Sequence, residues 1–282
     1  VALEMLNEQF THRNMFSFFG GVGETPAFRE GHFRSQGPFR HSILAGTVGA
    51  VCFPLVVGIW RTNPLGAKLG VVACLMMVVT SFSSGPVMSL IWGILALIAW
   101  RWRDQTRKIL VGAVVGYVFL DLIMKAPAYY LIARIDITGG STGWHRAKLI
   151  ESAIEHLSEW WLYGTDYTRH WMPTGVSWSP DHTDITNHYI QMGVLGGLPL
   201  MILFILGLWW GFKYVGQIVR GEQIVQGSRN DEQKFLAWAL GSSLFSHAVT
   251  SVGVSFFDQS FLFLYLVLAA TSSLRNTLAT TD

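Results

Sequence analysis

From Leu69 to Trp100 the chain runs for 32 residues without an Asp, Glu, Lys or Arg. A helix on the surface of a water-soluble domain keeps one polar face, so a stretch like this has to be surrounded by protein or by lipid. A membrane helix needs roughly 20 largely apolar residues to cross about 30 Å of hydrocarbon. Here the run is interrupted by Ser81-Phe-Ser-Ser-Gly-Pro86, a turn-forming sequence, which predicts two short helices joined by a hairpin. His41–Trp60, Ile109–Leu131, Tyr189–Phe212, Phe235–Phe257 and Gln259–Leu274 are further apolar stretches, the second of these interrupted by Asp121 and Lys125. Seven spans are expected, in an all-α polytopic membrane bundle.

Composition agrees. Hydrophobic residues make up 51% of the 282, charged residues only 13%, and the mean hydropathy is +0.37. A soluble domain carries about 25% charged residues. The 20 Lys and Arg nearly cancel the 18 Asp and Glu, so no basic surface for nucleic acid is expected. Cys52 and Cys74 lie in apolar runs and suggest neither a disulfide framework nor a zinc site.

Lys and Arg concentrate on cytoplasmic connections. With residues 1–42 outside, the inner connections carry 11 of them and the outer connections four, although 133–188 is the longest connection. The expected organisation is an extracytoplasmic segment (1–42), four spans (43–132), a large outer loop (133–188), three spans (189–275) and a cytoplasmic tail (276–282). Because Val1 opens on polar, Gly-rich sequence with no basic-apolar-small leader, earlier spans are expected to be missing. In the outer loop, Ile150, Ile154, Leu157 and Trp161 recur at helical spacing opposite Glu151, Glu155 and Glu159. This predicts an amphipathic helix ending near Gly164 and lying on the membrane surface.

Three outer clusters carry candidate chemistry, each with a plainer reading beside it. Arg146 opens the amphipathic helix, where the dipole offers a cation nothing; it is a lipid-bound surface Arg or a bidentate phosphate clamp. Asp181-His-Thr-Asp184-Ile-Thr-Asn-His188 is a polar helix cap, or supplies a proton-transferring His182 or His188. The six-residue His spacing fits no common zinc signature, so no metal is expected. Arg34-Ser-Gln-Gly-Pro-Phe-Arg40-His41 is an interfacial anchor or part of a pyrophosphate site. Asp121 and Lys125, four apart, read as an ion pair on one helix face, with substrate contact as the other reading. His247 reads as an interhelical hydrogen-bond partner.

Together these stretches resemble the O-antigen ligase and O-antigen polymerase family of bacterial envelope proteins. Arg34-x-x-Gly37-Pro-Phe-x-His41 before a span, with Gly46 inside it, is similar to the family's outer-loop arginine motif. Trp144-His-Arg146-Ala-Lys-Leu-Ile resembles the second arginine motif. Asp184-Ile-Thr-Asn-His188-Tyr-Ile-Gln, then Gly193-Val-Leu-Gly-Gly197, looks like the His/Asn motif leading into the next span. The resemblance covers about residues 29–275. Ser42 stands where many relatives have Pro, and Asn187-His188 reverses the order of many ligases, which leaves His182 and His188 as alternatives for the base.

The resemblance implies a GT-C-like fold and a metal- and cofactor-independent glycosyltransferase in the bacterial inner membrane, its site facing the periplasm. The donor would be a glycan on undecaprenyl diphosphate, and the acceptor a glycan, lipid A-core or protein hydroxyl. Arg146, His188 and Asp184 would be catalytic, with Arg34, Arg40, His182 and Lys125 holding pyrophosphate or glycan. The alternatives are a lipid-glycan flippase and a non-catalytic membrane scaffold.

Overall fold

The computed structural model describes residues 1–134, 143–221 and 230–279. Among the described residues the fold is helical apart from two short antiparallel hairpins. The chain forms two compact units, Val1–Trp100 with Leu206–Asp282, and Arg101–Ile205.

In the first unit, α1 (Ala2–Thr11) is followed by β1 (Ala27–Arg29) and β2 (His32–Arg34). Glu30 and Gly31 both take positive φ, 50° and 80°, the conformation that a two-residue hairpin turn requires. Next come α2 (Ser42–Gly58), α3 (Pro64–Thr80) and α4 (Ser84–Ile98). Pro64 sits in the first turn of α3, and the Asn63 side chain accepts from the Gly66 N–H at 2.9 Å, a pairing of cap and proline suited to a helix start.

Helix α2 is the centre of this unit. It packs against α3, α4 and, later in the chain, α9 (Asn230–Thr250). Small residues make the approach possible. A Cβ on Gly49 would lie 2.9 Å from the Cys74 carbonyl oxygen, and one on Gly58 would lie 2.7 Å from the Ala239 Cβ. Serines join the helices: Ser243 donates to the Val51 carbonyl at 2.6 Å and Ser246 to the Ser89 carbonyl at 2.7 Å. Small residues and hydroxyls are the usual means of holding apolar helices together when apolarity itself cannot discriminate between partners.

Helix α1 is tied to the same framework. The Gln9 amide donates to the Phe33 and Thr80 carbonyls and to Ser35 Oγ, at 2.9, 3.0 and 2.7 Å. Glu8 is fully buried, and its two carboxylate oxygens accept the Gln36 and Gly37 N–H groups at 2.9 and 2.6 Å. Burial raises its pKa against the pull of those two donors. Both contacts fix the turn that delivers the chain to α2.

The second unit contains α5 (Thr106–Ile123), a 3-10 segment (Ala128–Arg134), α6 (Gly143–Glu155), α7 (Leu157–Trp160), the hairpin β3 (Gly175–Val176) and β4 (Ser179–Thr183), and the start of α8 (His188–Arg220). Leu149, Ala153, Trp160, Trp171, Met172 and Ile190 form its core. Helix α10 (Ser260–Ala279) belongs to the first unit.

Each of the seven expected apolar stretches carries a helix, and the predicted break at Ser81 separates α3 from α4. Their lengths are another matter. At 17 residues, α2 and α3 each rise about 25 Å, short of the hydrocarbon thickness. Among the described residues one helix, His188–Arg220, is long and apolar enough to cross a membrane, or two if a broken pair counts as one span.

Two expectations are corrected. Asp121 and Lys125 do not share a helix face, because α5 ends at Ile123 and Met124 is extended; the approaching Pro127 cannot continue a helix. The Asp121 carboxylate instead accepts the Ala128 N–H at 2.7 Å. The outer amphipathic helix is also divided at His156 (φ −99°, ψ 20°). Its packed side is Ala147, Leu149, Ser152 and Ala153, while Ile154, Leu157 and Trp161 of the predicted stripe are exposed. Small residues line the packed side because α6 lies close to the 128–134 segment: a Cβ on Gly143 would meet the Ile132 carbonyl oxygen at 2.6 Å.

Candidate functional site

In the first unit Arg34 ends β2 and turns inward, 8% exposed. Its guanidinium donates through Nη2 to Ser83 Oγ and through Nε to the Ser81 carbonyl, the latter at 3.5 Å. Both acceptors are neutral, and no carboxylate pairs with Arg34 among the described residues. Burial, then the nearby Arg29 charge, lowers its pKa. A buried cation without a counter-ion is costly, and an incoming anion would relieve that cost.

The rest of the first arginine motif has more ordinary employment. Arg40 is exposed and lies 3.9 Å from the Asp258 carboxylate, a geometry that contributes little. His41 caps α2, its Nδ1 accepting the Ile43 N–H at 3.1 Å.

The second unit gathers part of the remaining predicted set. Arg146 is half-buried in the first turn of α6, and its neighbour His145 donates through Nε2 to the Asp184 carbonyl at 2.9 Å. The second arginine motif and the Asp184 segment are therefore adjacent. Asp184 is exposed. His182 is half-buried, with Nδ1 2.7 Å from Ser179 Oγ and its ring beside Trp178. His188 is wholly buried against the edge of Phe204, at 4.9 Å between centroids. Asn187 caps α8 by accepting the Ile190 N–H at 3.1 Å. Lys125 is exposed beyond the end of α5.

Glycines seat the start of α8 on the end of the outer helix. Gly197 takes φ 71°, and a Cβ there would come within 2.3 Å of the Leu162 carbonyl oxygen. Gly164 takes φ 87° and lies equally close to Val194. Leu198 N–H donates to the Trp161 carbonyl at 2.8 Å and Thr165 N–H to that of Val194 at 2.9 Å. Through this seam the segment carrying Asp184 and His188 is held against the one carrying Arg146.

The 128–134 segment is tethered to α6 by Tyr130, which donates to Glu151 at 2.8 Å; Lys148 donates to the same oxygen at 2.5 Å. The Lys148 and Tyr130 hydrogen bonds hold the Glu151 carboxyl below the usual carboxylate range. The folded value being the lower one, this support is complete above that range and disappears as pH falls through the folded value. Acidification from about pH 7 to about pH 3 is expected to speed amide exchange in residues 128–134, after correction for intrinsic rates. Glu151→Gln should flatten that response; a parent profile as flat as the variant's would disprove the tether.

Sequence reasoning missed Ser81 and Ser83 as partners of Arg34 and His145 as a contact of Asp184. The serines were legible only as turn residues, since nothing in linear order links them to a strand almost 50 positions earlier. His145 lay inside the quoted arginine motif, overshadowed by its charged neighbour. The chain matches no protein-family model, no curated protein and no solved structure.

Proposed function

We propose that this chain is a polytopic membrane glycosyltransferase, related to O-antigen ligases and polymerases, with its site on the periplasmic face of a bacterial inner membrane. It joins an undecaprenyl-diphosphate-linked glycan to an acceptor hydroxyl on a glycan, lipid A-core or protein. The observation that carries the reading is Arg34, a buried guanidinium held by neutral oxygens. Such a group suits the departing pyrophosphate, where negative charge builds as the glycosidic bond breaks.

A lipid environment is supported by α5. Ile109, Leu110, Val111, Val114, Val115, Val118, Phe119 and Leu122 are all exposed, and no residue of the helix is buried. Soluble proteins rarely display an apolar surface on this scale.

In this reading phosphate oxygens are met by guanidinium groups, for which Arg34 and Arg40 are the candidates in the first unit and Arg146, with a planar fork that suits them, the candidate in the second. Lys125 adds charge. Asp184 orients the sugar. The acceptor hydroxyl gives its proton to a histidine as its oxygen attacks the anomeric carbon, and the lipid diphosphate leaves with the bonding pair. A base has to reach the proton it takes. His182, partly accessible with Nδ1 held by Ser179, meets that need more readily than His188, which is closed off from solvent.

The test is a cell-free reaction of the purified chain with lipid-diphosphate glycan and candidate acceptors. Glycan transferred to an acceptor is expected. Movement of lipid-linked glycan across vesicles without transfer would make the protein a flippase, and neither activity would leave a scaffold.

A further inference from the structure

We propose that His156, Glu159 and His170 bind a divalent transition metal ion, zinc by ligand type, which clips the loop after α7 back onto the outer helix. One side-chain donor atom from each lies within 4.8 Å of the other two. His170 Nε2 is already 3.0 Å from the Glu159 carboxylate. Metal–ligand bonds of about 2.0–2.2 Å in a tetrahedron put ligand atoms roughly 3.4 Å apart. Forming the site therefore asks for a small contraction around His156 and hardly any change between the other two.

The supporting contacts are those that metal ligands use. His156 Nδ1 is 2.8 Å from the Ser152 carbonyl, so it carries the proton and leaves the Nε2 lone pair as donor. Glu159 is oriented by Trp171, whose indole N–H donates to it at 3.1 Å. The His170 ring is stacked on Tyr167 at 4.9 Å, and the His156 ring on Trp171 at 5.7 Å. On binding, the His170 proton that faces Glu159 moves to Nδ1, and Nε2 donates its lone pair to the ion. With the His170 and Glu159 side chains 35% and 36% exposed, a water can complete the tetrahedron. Two imidazoles and one carboxylate favour zinc over calcium or magnesium, which take oxygen sets.

The site differs from the expected absence of metal, and its ligands are not among the residues assigned to glycan transfer. Its role is structural. His156 and Glu159 are three apart at the junction of α6 and α7, and His170 returns from a 3-10 turn (Arg169–Trp171), so one ion cross-links two segments that already meet where Ser152 Oγ donates to the Trp171 carbonyl and the Trp171 indole donates to Glu159.

The experiment uses the full chain in detergent, stripped with EDTA and titrated with zinc, and separately with cobalt(II). One zinc per chain in the micromolar range or tighter is expected, with the intense visible bands of tetrahedral cobalt, and a melting temperature raised several degrees by zinc. His156→Ala and His170→Ala should each weaken binding by about 100-fold and lose the zinc-dependent rise, while still melting cooperatively in EDTA. His32→Ala, an exposed histidine elsewhere, should bind as the parent does. Absence of zinc binding in the parent, binding untouched by His156→Ala and His170→Ala, or equal loss in His32→Ala would each overturn the site.

Discussion

Arg146→Ala is expected to lower the rate of glycan transfer about 10²–10³-fold, the loss of about 2.7–4 kcal/mol of transition-state stabilisation that follows removal of one well-placed donor. The fold should survive. Arg146 is half-buried, whereas its neighbours Ala147 and Leu149 make the packing of α6. Alanine is the better helix former, and a cation at this end of a helix opposes the dipole. Arg146→Lys keeps the charge without the planar fork and should fall between the two. Initial rates with purified protein decide it. If Arg146→Ala transfers glycan nearly as fast as the parent, Arg146 is not a pyrophosphate ligand.

The second large effect concerns the seam that holds α8. Gly197→Ala should destabilise the second unit by about 2–5 kcal/mol, from the left-handed backbone and from overpacking. Its new methyl would lie 2.3 Å from the Leu162 oxygen and 2.4 Å from its carbonyl carbon, and backbone atoms cannot swing aside as a flexible side chain does. The hydrogen bonds from Leu198 to Trp161 and from Thr165 to Val194 would be strained with it. Limited proteolysis between residues 157 and 175 and the melting temperature in detergent report the loss. Gly207→Ala, on the same helix with nothing within 4 Å, should be neutral or slightly stabilising. Equal melting of the two variants would show that the close approach at Gly197 carries no stability.

Legibility varied with the range of the interaction. Apolar runs located α2, α3, α4, α5, α8, α9 and α10 because helix formation and hydrophobic length are local properties. Ser81-Phe-Ser-Ser-Gly-Pro86 placed the break between α3 and α4 for the same reason. The stripe of Ile150, Ile154, Leu157 and Trp161 located the outer helix but not its break at His156. Periodicity identified a helix but not which side would be covered, and Ala147, Ser152 and Ala153 were overlooked because small residues count for little on a hydropathy scale. At Asp121 and Lys125 a spacing of four was read as a shared face, although Pro127 nearby already signalled a helix end close to this point.

The linear order of residues determined the helical class, the dearth of charge and the positions of the candidate arginines and histidines, since each depends on residue type and near neighbours. Only the tertiary structure decided that Arg34 is buried against Ser81 and Ser83, that His188 is closed off while His182 is partly open, and that His156, Glu159 and His170 converge. Burial and convergence depend on which distant segments touch, and that choice is made by close packing at glycines such as Gly49 and Gly197, where a hydrogen in place of a side chain lets two backbones meet.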